Sequence, residues 1–107
     1  MTQGLQIEVL RRGAEVSLAG RLDNRSAPIA RTLLHAAVQD GVGDLQVHVG
    51  DLEIWDASGL GVLVGAHRKA RQNERRLVLV DVAPRQLRLL RATRLARVLA
   101  LEPLAVA

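Results

Sequence analysis

Residues 77–80 are four consecutive aliphatic residues, Leu77, Val78, Leu79 and Val80, held between Arg76 and Asp81. A run so short and so uniformly apolar suits a buried central strand, because a half-buried strand would alternate with polar residues. Its neighbours along the chain restrict the sheet that can contain it. Upstream, Leu45, Val47 and Val49 alternate as a strand that leads to Ile54. Between the two lies a helical pattern after Asp56, with Leu60, Leu63, Ala66, His67 and Ala70 on one face and Arg68, Arg71, Gln72 and Arg75 on the other. Strand, single helix and strand imply parallel pairing through a right-handed crossover.

The flanking segments extend this scheme. Ile7 and Val9, then Val16 and Leu18, alternate with polar residues across an Arg11-Arg12-Gly13 turn, as in a hairpin. Residues 20–25 read as a polar loop. Ser26 is placed to cap a helix with Pro28 in its first turn. Ala30, Leu33, Leu34, Ala37 and Val38 form that helix's apolar stripe, opposite Arg31, Thr32, His35 and Gln39, and Gly41 ends it. Pro84 opens a third helix containing Leu87, Leu89 and Leu90, and residues 98–101 read as a final edge strand. The predicted order is ββαβαβαβ. This is an α/β fold, a mixed and mostly parallel sheet flanked by helices, with residues 1–107 as one domain by the prior of about 100–150 residues per domain.

Composition narrows the chemistry. The 107 residues include no cysteine, which excludes disulfides, thiol catalysis and cysteine-ligated zinc. The start, Met1-Thr2-Gln3-Gly4-Leu5-Gln6, lacks the layout of a secretory signal, and no apolar run approaches the roughly 18–20 residues of a membrane span. A cytoplasmic protein is expected. Trp55 is the one aromatic residue, so a stacking platform for single-stranded nucleic acid is absent. Residues 1–64 carry five basic and eight acidic side chains, whereas residues 65–97 carry ten and two. That split permits an acidic end and a basic flank on one body. Arg85, Arg88, Arg91, Arg94 and Arg97 recur every third residue, a spacing that drifts around a helix rather than forming one stripe, with the last beyond the helix. Nothing here resembles a groove-reading motif, and no DNA or RNA partner is expected.

In a parallel sheet, the loops leaving the carboxyl ends of the strands cluster at one edge. Asp23 and Asn24 follow the second strand; Asp51, Glu53, Asp56 and Ser58 precede or open the second helix. If those two strands point the same way, an acidic rim surrounds a helix N-terminus. Asp56 and Ser58 also suit plain capping, and Gly59, Gly61 and Gly65 suit close approach of helix to sheet. Enzyme readings fare poorly. Gly59-x-Gly61-x-x-x-Gly65 has its third glycine one position late for a dinucleotide loop, despite Asp81 downstream. Ser58 lacks the flanking glycine of a nucleophile elbow, because Asp56 stands there. His35, His48 and His67 have no metal-ligand spacing. No catalytic set, metal site or cofactor is expected.

Over nearly its whole length the chain resembles the STAS domains, the family of bacterial anti-sigma factor antagonists. Gly20-Arg21-Leu22-Asp23 is similar to the family's G-x-L-D loop. Asp56-Ala57-Ser58-Gly59-Leu60-Gly61-Val62 is similar to its D-S-[ST]-G-L-G-V signature, and residues 84–95 to its third helix and following turn. The resemblance implies a binding module whose partner is an anti-sigma factor that is also a serine kinase. Unphosphorylated antagonist sequesters that partner and frees a sigma factor; the phosphorylated form lets go. The implied partner-binding residues are Asp23, Asn24, Asp56, Ala57, Ser58, Gly59 and Leu60. The usual phosphoacceptor directly follows the aspartate, and here it is Ala57, which has no hydroxyl. Ser58 occupies the second position, and Arg94 stands where many relatives carry glycine. Three readings follow: Ser58 accepts the phosphate, or the domain binds without phosphorylation control, or it serves as a STAS subunit of a lipid-transport type ATPase assembly. An edge strand at either terminus could pair two copies as a homodimer.

Overall fold

The computed structural model describes residues 4–54 and 56–104, so Trp55 lies outside the described residues. The elements are β1 (Gln6–Arg11), β2 (Glu15–Leu22), α1 (Ala27–Gln39), β3 (Leu45–Ile54), α2 (Ala57–Gln72), β4 (Leu77–Val82), α3 (Pro84–Ala92), a 3-10 turn (Leu95–Arg97) and β5 (Ala100–Pro103). The sheet runs β1-β2-β3-β4-β5 in space. β1 pairs antiparallel with β2, and every later neighbour is parallel. The expected element order and mixed sheet are both present.

One buried cluster joins the sheet to the helices. Leu45, Val47, Leu77 and Leu79 are at most 1 % exposed, and they pack with Ala30, Leu34 and Val38 of α1, Leu63 and Ala66 of α2 and Leu90 of α3. Each such leucine contributes about 1.5–3 kcal/mol on burial. The opposite face of the sheet carries Glu15, Ser17, Gln46 and His48, all half-buried.

Alternation fails at one level of the sheet. β3 buries Leu45, Val47 and Val49, then Leu52, because three steps from His48 to Asp51 match two from Ser17 to Ala19. β4 has its own irregularity between Val80 and Val82, where Asp81 has φ 60°. Each inserted residue shifts the inward phase by one, as a bulge must. The β3–β4 ladder ends at His48 and Val80. Beyond it the buried Gln86 of α3 fills the split, donating from Nε2 to the Val49 and Leu52 carbonyls while its Oε1 accepts from the Ala83 N–H.

Several local expectations are corrected. Residues 20–22 continue β2, because they pair with Leu52, Glu53 and Ile54. The α1 helix stops at Gln39, and Gly41 serves another purpose: a Cβ there would lie 2.4 Å from the Gly13 carbonyl oxygen, so two backbones touch. Leu33 is 44 % exposed and Val9 60 %, because α1 leaves an apolar groove of about 440 Å3 beside the edge strand β1. Residues 98 and 99 precede β5 rather than forming it. The largest correction is Arg75. It lies past the end of α2 and is 5 % exposed. Its guanidinium donates to the carbonyls of Gly13, Ala37, Val38, Gly43 and Asp44. It thereby satisfies the Val38 carbonyl at the α1 terminus and shares that of Ala37 with the Asp40 N–H.

Candidate functional site

Because β2 and β3 run parallel, the segments following both strands arrive at the same sheet edge. Asp56 caps α2 from an extended backbone, and its Oδ1 accepts the Gly59 N–H at 3.2 Å. Its Oδ2 accepts the Asn24 N–H, also at 3.2 Å. One carboxylate therefore ties the β2–α1 loop to the start of α2.

The loop itself is built on Asp23 and Ser26. Asp23 Oδ1 accepts the N–H groups of Arg25 and Ser26 at 3.0 and 3.2 Å. Ser26 Oγ accepts the Asp23 N–H and donates to the Arg21 carbonyl. Ser26 does stand at the N-cap position, but its side chain makes no cap bond to α1, because its hydroxyl is spent inside the loop. Burial works to raise the Asp23 pKa; the Ser26 and Arg25 hydrogen bonds and the Arg21 charge outweigh it and hold the carboxyl below its ordinary value.

The glycines of α2 differ in role. A Cβ on Gly59 would lie 2.6 Å from the Leu22 carbonyl oxygen, so this position lets helix and strand meet. Gly61 and Gly65 face open space, which corrects the expectation that all three serve close approach. Gly59 is buried and Leu60 half-buried against the core, whereas Asn24, Asp56, Ala57 and Ser58 are exposed. The exposed surface at this end is therefore Asn24 with the first turn of α2, and Asp23 lies beneath it as loop scaffold.

Asp51 and Glu53 were expected in the loop before α2; both lie within β3, exposed. With Gly20 and Arg21 they line a cleft of about 160 Å3, so the rim is not uniformly acidic. Arg21 was missed, although its place one residue before the inward Leu22 puts it on the outer face. Ile29, 60 % exposed in the first turn of α1, was also missed, since periodicity cannot show what a helix leaves uncovered.

An exposed hydroxyl at the second position of a helix can accept a phosphate, which the helix N-terminus would favour and the neighbouring Asp56 carboxylate would oppose. Among the described residues there is no group of three His, Asp or Glu side chains fit to hold a metal ion, and no helix is long and apolar enough to cross a membrane. Fold and site together define a small α/β domain that presents a clamped loop and an open helix start on one edge.

The family model described as "Mlab, STAS domain" matches residues 6–103. The anti-sigma-B factor antagonist of Staphylococcus aureus (strain NCTC 8325 / PS 47) is 33 % identical over 79 residues, 74 % of this chain and 73 % of that protein. The antagonist of the same name from Staphylococcus epidermidis is 32 % identical over 71 residues, 66 % of each chain. Among solved structures, an anti-sigma factor antagonist from Mycobacterium paratuberculosis superposes with TM-score 0.74 at 24 % identity, over 92 % of this chain and 84 % of that one. The phosphorylated form of the Bacillus cell fate determinant SpoIIAA superposes with TM-score 0.66 at 22 % identity, over 92 % and 91 %. The chain belongs to the STAS-domain family, and its curated relatives are anti-sigma factor antagonists.

Proposed function

We propose that this protein is an anti-sigma factor antagonist, a cytoplasmic and non-catalytic module that binds a serine-kinase anti-sigma factor and so releases a sigma factor. The observation that carries the reading is the Asp56 clamp, which fixes Asn24 beside the exposed Ala57 and Ser58 on one docking edge. Asp23, Gly59 and Leu60 act from beneath that edge as its support. Regulation passes to Ser58, because Ala57 offers no oxygen. A phosphate there adds about −1.5 to −2 charges next to Asp56, and burying that charge in an interface disfavours the complex.

Mixing the protein with the serine-kinase anti-sigma factors of its own genome should give a complex, and failure with all of them would sink the reading. Incubation with ATP should then place phosphate on Ser58 by mass spectrometry, and Ser58→Ala should abolish it. Ser58→Asp should weaken the complex by roughly 2–5 kcal/mol, read by calorimetry.

Ala57 also favours a second reading, a STAS subunit of a transporter ATPase assembly that needs no phosphorylation. Capture of an ATPase subunit, insensitive to added kinase and lost in Asp56→Ala, would select it.

A further inference from the structure

The basic residues at the end of α2 border a second surface, about three turns along that helix from Asp56. Between the end of α2 and the approach to β5 lies a groove of about 350 Å3, lined by His67, Arg71, Arg75, Arg76 and residues 98–100. Its floor is aliphatic. Leu99 is buried, and Val98 is 51 % exposed. Its rim is cationic. Arg76 is paired with Asp44 at 2.9 Å, but neither Arg71 nor the neighbouring Arg68 has an ion pair among the described residues.

His67 supplies an independent sign that something is missing. It is 8 % exposed, and its Nδ1 is buried with no hydrogen-bond partner among the described residues. Buried polar atoms in folded proteins are nearly always paired. Burial, then the charges of Arg71 and Arg68, lower the His67 pKa and so favour the neutral ring.

We propose that this groove docks an acidic segment of a protein partner, with an aliphatic side chain seated on Val98 and Leu99 and carboxylates on Arg68 and Arg71. A peptide matches the surface better than a nucleic acid does. The floor takes an aliphatic group, and among the described residues no Phe, Tyr or Trp lines the groove for base stacking. This surface is separate from the Asp56 edge, so either can fail without the other.

The test uses the full chain and a fluorescein-labelled acetyl-Glu-Asp-Leu-Glu-Asp-Leu peptide, followed by polarisation and by the His67 imidazole signals in NMR. The peptide should bind, shift those signals and dissociate as salt is raised. Arg71→Glu and Val98→Asp should each weaken binding roughly five-fold or more, while Arg88→Glu, the same charge change on α3, should leave it within about two-fold. Both altered groove positions are exposed, and unchanged melting curves would verify folding. Absence of binding, equal binding of an uncharged acetyl-Gln-Asn-Leu-Gln-Asn-Leu control, or equal sensitivity to Arg88→Glu would overturn the proposal. So would an oligonucleotide that binds more tightly than the peptide and responds to Arg71→Glu.

Discussion

Removing the Asp56 carboxylate takes the acceptor away from the Gly59 and Asn24 N–H groups together. Asp56→Ala should therefore cost about 1–2 kcal/mol in urea unfolding, the usual range for a lost N-cap. Asp56→Asn keeps one carbonyl oxygen and should recover most of that, while the Asn24 amide exchanges faster with solvent. Arg94 shows a different constraint. Its φ is 64°, in the left-handed region that costs an L-residue roughly 1–2 kcal/mol. Arg94→Gly should accordingly raise stability by about 0.5–1 kcal/mol, read as a higher Tm. Arg75→Met should lower stability by about 3 kcal/mol, since five carbonyls lose a buried donor. Arg75→Lys should not restore it, because an ammonium lacks the planar fork that reaches carbonyls on both sides.

Helix α2 separates the uses of glycine. Gly65→Ala should stabilise by about 0.5–1 kcal/mol, because the new methyl meets nothing and the unfolded chain loses freedom. Gly59→Ala should destabilise by about 1–3 kcal/mol, because its methyl would press on the Leu22 backbone. Chemical unfolding of the two variants side by side checks both signs. Sequence alone could not tell these glycines apart, since their difference lies in a strand 37 residues upstream of Gly59, at Leu22. Elements whose signal is local were legible: the hairpin, the apolar β4 run, the Asp56 cap and the Pro84 start. What failed were positions decided by distant partners. Arg75 matched the polar face of a helix it does not belong to. Ser26 failed for a local reason, its hydroxyl being held by Asp23 and Arg21 of its own loop. The phase shift in β3 was hidden because a bulge is defined only against a neighbouring strand.

Across the molecule, two histidines set opposing responses to pH. On the open sheet face, His48 Nε2 meets Glu15 Oε2 at 2.5 Å and Nδ1 meets Asp81 Oδ2 at 3.3 Å. The Glu15 hydrogen bond, opposed by some burial and aided by Asp81, raises the His48 pKa above 6.5. Its contribution is full below 6.5 and disappears as pH climbs through the higher folded value. The stability gap between wild type and His48→Gln should thus shrink on going from about pH 6 to about pH 9. His67, depressed by burial, has the other sign: its contribution is present above 6.5 and is lost as the solution turns acidic. In denaturant melts the stability gap between wild type and His67→Gln should instead shrink as pH falls from about 7 to about 5. The Arg75 clip also orders events during synthesis. The carbonyls it binds belong to residues 13, 37, 38, 43 and 44, all translated earlier. On the ribosome those of the oxygens that no backbone N–H holds must stay hydrated until residue 75 clears the exit tunnel, so the nascent amino-terminal half waits on a side chain made some thirty codons later than the last of them.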